Sequence, residues 1–312
     1  MIPTRSRRET LSTTLACALG QEGVEHEVIV VDDASTDDTA ERLAELHDPR
    51  LRIIRHAASR HVAATRNTGV WAARGAWVAF LDDDDLWAPH KLRLQLATAS
   101  AQGAVMAYAA GVVVDPDRSL LATWAAPPPD GLLPMLLRGN WLPVGASNVI
   151  ARTDVVKRLG GFDERLRHFA DLDMWIRLAD AGSAAACPEP LVAYVVHERN
   201  MLLADSRHVP GEFRLLTRKQ RARARQYGVT PDRIFPDEMG VYRWVGWAHA
   251  RAGRRLRASL WYLRASARRS PYGRRRSLRD AAFALRGDVP LDRPQVIDDR
   301  AAAQAGWLER LG

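Results

Sequence analysis

Four aspartates in a row, Asp82–Asp85, close the apolar run in the segment VAFLDDDDLW (78–87). Adjacent carboxylates repel one another, so such a run lowers stability unless water or a cation lies among it. Two chemistries fit. One is a solvated acidic turn between a strand and a helix, with Pro89 in the first helical turn, where proline is favoured. The other is a seat for a hard divalent cation, Mg2+ or Mn2+, which prefers oxygen ligands and needs only one or two carboxylates beside substrate phosphates. A second acidic pair, Asp32-Asp33, follows the short apolar run Glu27–Val31 (EVIVV).

The elements that must position these groups alternate along the front of the chain. Glu27–Val31 reads as a buried strand, Asp37–Leu46 as a helix and Leu51–Ile54 as a second strand. Ser35 and Asp38 resemble a capping box at the start of that helix. Val62–Ala73 reads as a helix ended by Gly75, Ala76–Leu81 as a third strand, and Pro89–Ala101 as a further helix. This alternation predicts an α/β fold: a mostly parallel mixed sheet covered by helices on both faces. Ligands in such sheets bind outside the carboxyl ends of the strands. Asp32-Asp33 and Asp82 both stand at such ends, so one crevice is expected to hold a nucleotide and its metal. Ile2-Pro3-Thr4 reads as the end of a first strand with almost nothing before it, which points to a clipped strand or a start codon upstream. Further on, Gly103–Val114 holds one or two strands, 127–129 a proline loop, and Ala146–Ala151 a strand. Thr153–Leu159 and Asp171–Gly182 read as helices, the second with Leu172, Trp175, Ile176 and Ala179 on one face, and Leu191–Val196 as a strand.

The 312 residues, 47% hydrophobic and 26% charged, suit a soluble globular protein of one large or two smaller domains. No apolar stretch reaches the roughly 20 residues that span a bilayer. MIPTRSRRET lacks the apolar core of a secretory signal. Two cysteines, Cys17 and Cys187, make no disulfide framework, and a cytoplasmic location is expected. Charge is uneven. From Arg207 onward 24 Lys+Arg face 10 Asp+Glu, a net of +14, which leaves −6 of the overall +8 to the preceding residues.

Five stretches in order carry a resemblance: Ile2-Pro3-Thr4-Arg5, VIVVDDASTDDT (28–39), RHVAATRNTG (60–69), FLDDDDLW (80–87) and GGFDERLRHFADLDMWIRLADAG (160–182). Together they resemble family 2 glycosyltransferases of the GT-A (Rossmann-like) fold, over roughly residues 1–200. The resemblance implies an inverting transfer of a sugar from a nucleoside-diphosphate sugar to the hydroxyl of a saccharide or lipid-linked acceptor, in surface polysaccharide, glycolipid or other glycoconjugate synthesis. It implies Mn2+ or Mg2+ as the cofactor. Thr4 and Asp33 match contacts to the donor nucleoside, with Asp32 their neighbour. Asp84 matches the metal ligand, and Asp82 the ribose and metal surroundings; Asp83 and Asp85 are their electrostatic neighbours. Arg66 stands beside the nucleotide phosphates, His197 near the metal and closing loop, and Asp171 matches the catalytic base. Ala170 departs from the family, which carries a glutamate there. The implied domains are 1–205, with a nucleotide-binding half (1–110) and an acceptor half (111–205), followed by a helical region, 206–312.

The residues alone leave alternatives. Asp32 and Asp33 serve equally as turn residues, Asp171 as a helix cap, Arg66 as a solvated helix residue and His197 as a structural histidine. Asp173 is a rival base, but two residues along a helix it points away from Asp171. A phosphatase pattern D-x-D-x-T fails because Leu86 fills the threonine position. Behind Arg207, Tyr242–Ala252 and Leu256–Arg268 read as antiparallel helices similar to a tetratricopeptide hairpin. Trp244, Trp247, Trp261 and Tyr262 are expected as core. The arginines, Arg254-Arg255 and Arg274–Arg276 among them, form a solvated face or meet an anionic membrane peripherally at its inner face; no motif for specific nucleic-acid binding is present. The alternative to an enzyme is a non-catalytic scaffold that docks through these helices.

Overall fold

The computed structural model describes residues 1–140, 142–197, 206–229, 238–267, 274–287 and 297–310. The chain forms two compact units, one of 1–136, 140–196 and 296–312, the other of 137–139 and 197–295.

The first unit runs β1 (Ile2–Thr4), α1 (Leu11–Leu19), β2 (Val28–Asp32), α2 (Thr39–Ala44), β3 (Leu51–Arg55), α3 (His61–Ala72), β4 (Trp77–Ala79), β5 (Leu86–Trp87), α4 (Lys91–Ala101), β6 (Met106–Val114), β7 (Leu120–Trp124), α5 (Leu132–Leu136), β8 (Ile150–Arg152), α6 (Thr153–Arg158), α7 (Ala170–Ala181) and β9 (Ala184–Val195). β1, β2 and β3 are parallel, with Thr4 opposite Asp32. A second, mixed sheet has the order β4-β8-β6-β9-β5, with β7 beside β6; only β6 and β9 pair in parallel there. Backbone bonds join the two: the Met1 amine donates to Ala79 O (2.7 Å), and Leu81 N donates to Met1 O (3.1 Å). The three residues of β1 thus pair with β2 on one side and border the aspartate-bearing segment on the other. Val28, Val30, Leu81, Leu86, Val112 and Val192 meet in one core under these strands. Behind the aspartates, Phe162 meets Phe80 and Trp175 edge to face with centroids 5.1 and 6.1 Å away, a geometry that suits the aromatic quadrupole, and Phe80 and Trp175 lie tilted at 5.8 Å.

Local differences from the sequence reading have identifiable causes. α2 begins only at Thr39, because the Asp37 carboxylate binds the Thr39 amide (3.1 Å) and hydroxyl (2.5 Å). Ser35 makes no capping box; its hydroxyl accepts the Ser6 amide (2.8 Å). Gly145–Asn148 forms a 3-10 turn instead of a strand, since Val144 (φ +54°) and Gly145 (φ +51°) turn the chain through the left-handed region. α1, with Leu11, Thr14, Leu15 and Ala18 buried, has no counterpart in the predicted elements.

The second unit contains α8 (Val209–Gln226), α9 (Glu238–Arg251), α10 (Arg255–Ser266) and α11 (Arg274–Arg286). Ala250, Ala258, Tyr262, Ala281 and Ala284 form its core, with Trp247 against it. Gly246 lets α9 approach the Tyr262 ring; a Cβ there would stand 3.2 Å from it. Trp261 is buried against Tyr242. The side chains of Trp244 and Arg274–Arg276 lie outside the described residues. Among the described residues no helix is long and apolar enough to cross a membrane.

Candidate active site

The carboxyl ends of β1 and β2 present Thr4, Asp32 and Asp33, all buried. The Asp33 carboxylate is fully engaged: Oδ1 accepts from His56 Nδ1 (2.8 Å) and Arg60 N (2.7 Å), and Oδ2 from the Ser59 hydroxyl (2.7 Å) and His61 N (3.0 Å). Burial alone would raise its pKa, but these four donors outweigh it and hold the carboxyl below the usual range. Asp33 therefore organises the turn that opens α3. Asp32 accepts the Ser35 amide (2.9 Å) and lies 3.3 Å from Arg55 Nε.

The aspartates between β4 and β5 divide their tasks. Asp82 accepts from Arg66 Nη2 (2.5 Å). Arg66 comes from α3, lies over the Phe162 ring (5.6 Å) and keeps a buried Nε–H without a partner. Its neighbour Asn67 instead clamps the turn after α6, accepting from Phe162 N and donating to Phe162 O. Asp83 and Asp84 lie 3.8 and 3.7 Å from the Arg7 guanidinium. Burial, then repulsion from Asp84, push the Asp83 pKa up to about 7, with Arg7 opposing only in part. Burial and the Asp84 and Asp82 charges raise Asp85 well above the carboxylate range; the Ser147 hydroxyl binds its Oδ2 (2.5 Å).

The 3-10 turn 145–148 ties the acidic loop to α7. Ser147 Oγ also accepts the Asp82 amide (3.0 Å), and Ser147 O accepts the Trp87 indole N–H (2.7 Å). Asn148 pairs both ways with the Ala109 backbone (2.7 Å each), and its carbonyl accepts from Gln95 (2.8 Å). Gln95 Oε1 in turn accepts a hydrogen bond from Nζ of the fully buried Lys91 (2.8 Å), and that nitrogen lies 4.0 Å over the Trp87 ring. At the other side of the turn, a Cβ on Gly145 would stand 3.3 Å from Asp171 Oδ2. Asp171, in the first turn of α7, is partly buried; its Oδ1 accepts the Leu172 amide (2.7 Å) and its Oδ2 the Asn140 side chain (3.4 Å). Burial raises its pKa, the Arg66 charge opposes, and Asp82 adds to the rise. Asp171, Arg66 and Asp82 thus share one electrostatic neighbourhood. Asp173 does not join it: fully buried, it pairs with Arg177 (2.8 Å), which also holds Leu159 O and Gly161 O.

Backbone strain gathers here. Of five non-glycine residues with positive φ among the described residues, Ser6, Ala34, His61 and Val144 flank β1, β2, the start of α3 and the 145–148 turn. Each such residue costs about 1–3 kcal/mol and persists where surrounding contacts over-determine it.

Sequence reasoning missed Arg7, Ser147, Lys91 and Gln95. Arg7 sits where a cation is needed, but no local pattern marks it. His197 is described with the second unit. Among the described residues no three His, Cys, Asp or Glu side chains form a closed metal cluster. The donor set still fits a hard cation. It is all oxygen, its four adjacent carboxyls face only the Arg7 and Arg66 guanidiniums among the ion pairs of the described residues, and water and substrate oxygens complete such shells.

The burial of Asp83, with the Asp84 charge beside it, sets a pH dependence. A carboxyl raised in the folded state stabilises the fold at low pH, and that stability is lost as pH rises through the folded value. Without divalent cation, the Asp83 contribution to stability is expected to fall as pH rises from about 4 to about 7, against an opposite contribution from the buried Met1 amine and His249, whose values are lowered. Asp83→Asn should flatten that fall in a thermal-melt series; an unchanged slope would assign it to other groups.

Residues 1–159 match the family model described as glycosyl transferase family 2. The chain is 34% identical over 201 residues to the succinoglycan biosynthesis protein ExoO of Rhizobium meliloti (strain 1021), covering 61% of this chain and 58% of that one. It is 32% identical over 97 residues, 31% of this chain and 38% of the relative, to the UDP-Glc:alpha-D-GlcNAc-diphosphoundecaprenol beta-1,3-glucosyltransferase WfgD of Escherichia coli. The chain thus spans less than two thirds of the length of either relative. The structure of the mannosyltransferase PcManGT from Pyrobaculum calidifontis, in complex with GDP-Man and Mn2+, has a TM-score of 0.55 to it, covering 99% of this chain and 84% of that one at 20% identity. The shared fold is the expected GT-A fold.

Proposed function

The chain belongs to glycosyl transferase family 2, and from that premise we propose that it moves a sugar from a nucleoside-diphosphate sugar to an acceptor hydroxyl with inversion, in the assembly of surface polysaccharide or another glycoconjugate. The observation that carries this reading is the shared neighbourhood of Asp82, Arg66 and Asp171, bridged by the 145–148 turn. One displacement needs a leaving-group site and a base in one cleft. The acceptor oxygen bonds to the anomeric carbon as the bond to the diphosphate breaks, and the hydroxyl proton passes to Asp171. Its pKa, raised by burial, makes it a stronger base than an ordinary carboxylate. Arg66, with a spare N–H, is the phosphate partner. Thr4, Asp32 and Asp33 serve the nucleoside, Asp33 through the turn it organises, and Asp83 supports the diphosphate side. Asp84 and Asp82 would hold Mn2+ or Mg2+, which when bound offsets the charge gathering on the leaving diphosphate.

We place the transfer in residues 1–205 with the tail 296–312, which belongs to the same compact unit, and assign the helices between 206 and 295 to docking. The acceptor is a saccharide or a lipid-linked saccharide; the name of WfgD, with its diphosphoundecaprenol acceptor, supports the second. A thermal-shift panel of UDP, GDP and dTDP sugars tests the donor. At least one nucleotide should raise the melting temperature by several degrees, and more with Mn2+ than without. No shift with any of them would favour a non-catalytic scaffold.

A further inference from the structure

Within the second unit, α10 and α11 carry the same short repeat. Leu256-Arg257 and Leu263-Arg264 stand seven residues apart on α10, and Leu278-Arg279 and Leu285-Arg286 seven apart on α11. Seven residues are nearly two turns, so each leucine pair shares one face with its arginines along one flank. Leu260 completes an i, i+4, i+7 stripe on α10. The other faces of both helices pack together through Ala258, Tyr262, Ala281 and Ala284. The leucine stripes therefore point outward: Leu256 is 73% exposed, and Leu260, Leu263, Leu278 and Leu285 between 43% and 57%. These five are half of the ten exposed large hydrophobics among the described residues, a concentration that marks an interaction surface.

Along this segment of the sequence the charge is of one sign. Residues 251–287 contain twelve arginines, no lysine and a single carboxylate, Asp280; that one is buried and paired with Arg243 (2.5 Å). A nucleic acid would engage the arginines and leave the leucines in water. An anionic bilayer takes both, since leucines enter the acyl boundary while arginines extend to the phosphates. We propose that α10 and α11 form a docking face for an anionic phospholipid surface. The proposal rests on the transferase reading for its purpose, since it brings the enzyme to a lipid-linked acceptor.

Co-sedimentation of the full chain with phosphatidylcholine vesicles, with and without phosphatidylglycerol, tests it. Binding is expected only with phosphatidylglycerol. The triple change Leu256→Ser, Leu260→Ser, Leu263→Ser should weaken it by about tenfold or more. Arg257→Gln, Arg264→Gln, Arg279→Gln and Arg286→Gln should weaken it by about fivefold per arginine removed. Circular dichroism and the nucleotide thermal shift should stay at parent values in both variants, so a failed donor reading would appear separately. Equal binding to both vesicle types, unchanged partition of the leucine variant, or leucine changes that alter only the oligomeric state would overturn the proposal.

Discussion

Asp171→Asn is expected to lower sugar transfer by about 10²- to 10⁴-fold, the contribution of a positioned general base, while donor affinity stays at the parent value. The amide keeps the oxygen that accepts the Leu172 N–H, so the start of α7 holds its place. What disappears is the group that takes the proton. Two opposed effects set that group's basicity. Burial disfavours its charge, while the Arg66 guanidinium favours it, and burial wins. The acid limb of the rate profile should therefore lie above the ordinary carboxylate range, with transfer rising as pH passes through the raised value. Asp173 cannot take over, because its carboxylate is committed to Arg177 in a fully buried pair. Single-turnover transfer measured beside a nucleotide titration separates the two quantities. Transfer by the variant at the parent rate would remove Asp171 from the mechanism.

The second large effect is expected at Asp84. Asp84→Ala should abolish the Mn2+-dependent part of the nucleotide thermal shift and reduce transfer by about 10²- to 10³-fold, the usual cost of losing one group that stabilises developing charge. Arg7 cannot replace the metal. It lies 3.7 Å from Asp84, and its one positive charge is shared between Asp83 and Asp84. The metal-independent shift, carried by Thr4, Asp32 and the turn under Asp33, should survive. A Mn2+ response equal to that of the parent would move the cation away from this loop.

Much of this was legible in the residues. Apolar runs ending in Asp32-Asp33 and Asp82–Asp85 announced strands with acidic carboxyl ends, and the ordered motifs pointed to the family. Less visible were elements whose cause is not periodic. The strand expected over Ala146–Ala151 forms only from Ile150, because Ser147 and Asn148 direct their hydrogen bonds to Asp85 and Ala109 from within the 3-10 turn. α1 escaped because its buried positions include Thr14, whose hydroxyl bonds to Asp85 O (3.0 Å) far along the chain.

By itself the sequence determined which chemical groups stand at which strand ends, because strand periodicity and the binding edge of an α/β sheet are local properties. Only the tertiary structure decided which of those groups remain available. It committed Asp33 to four donors and Asp173 to Arg177, and left Asp171 raised beside Arg66 and Asp82. It also brought Arg7 and Ser147 to the aspartates from segments about 65 to 77 residues away. A carboxylate's availability depends on its partners and its burial, and both are set by chain segments that no local pattern connects.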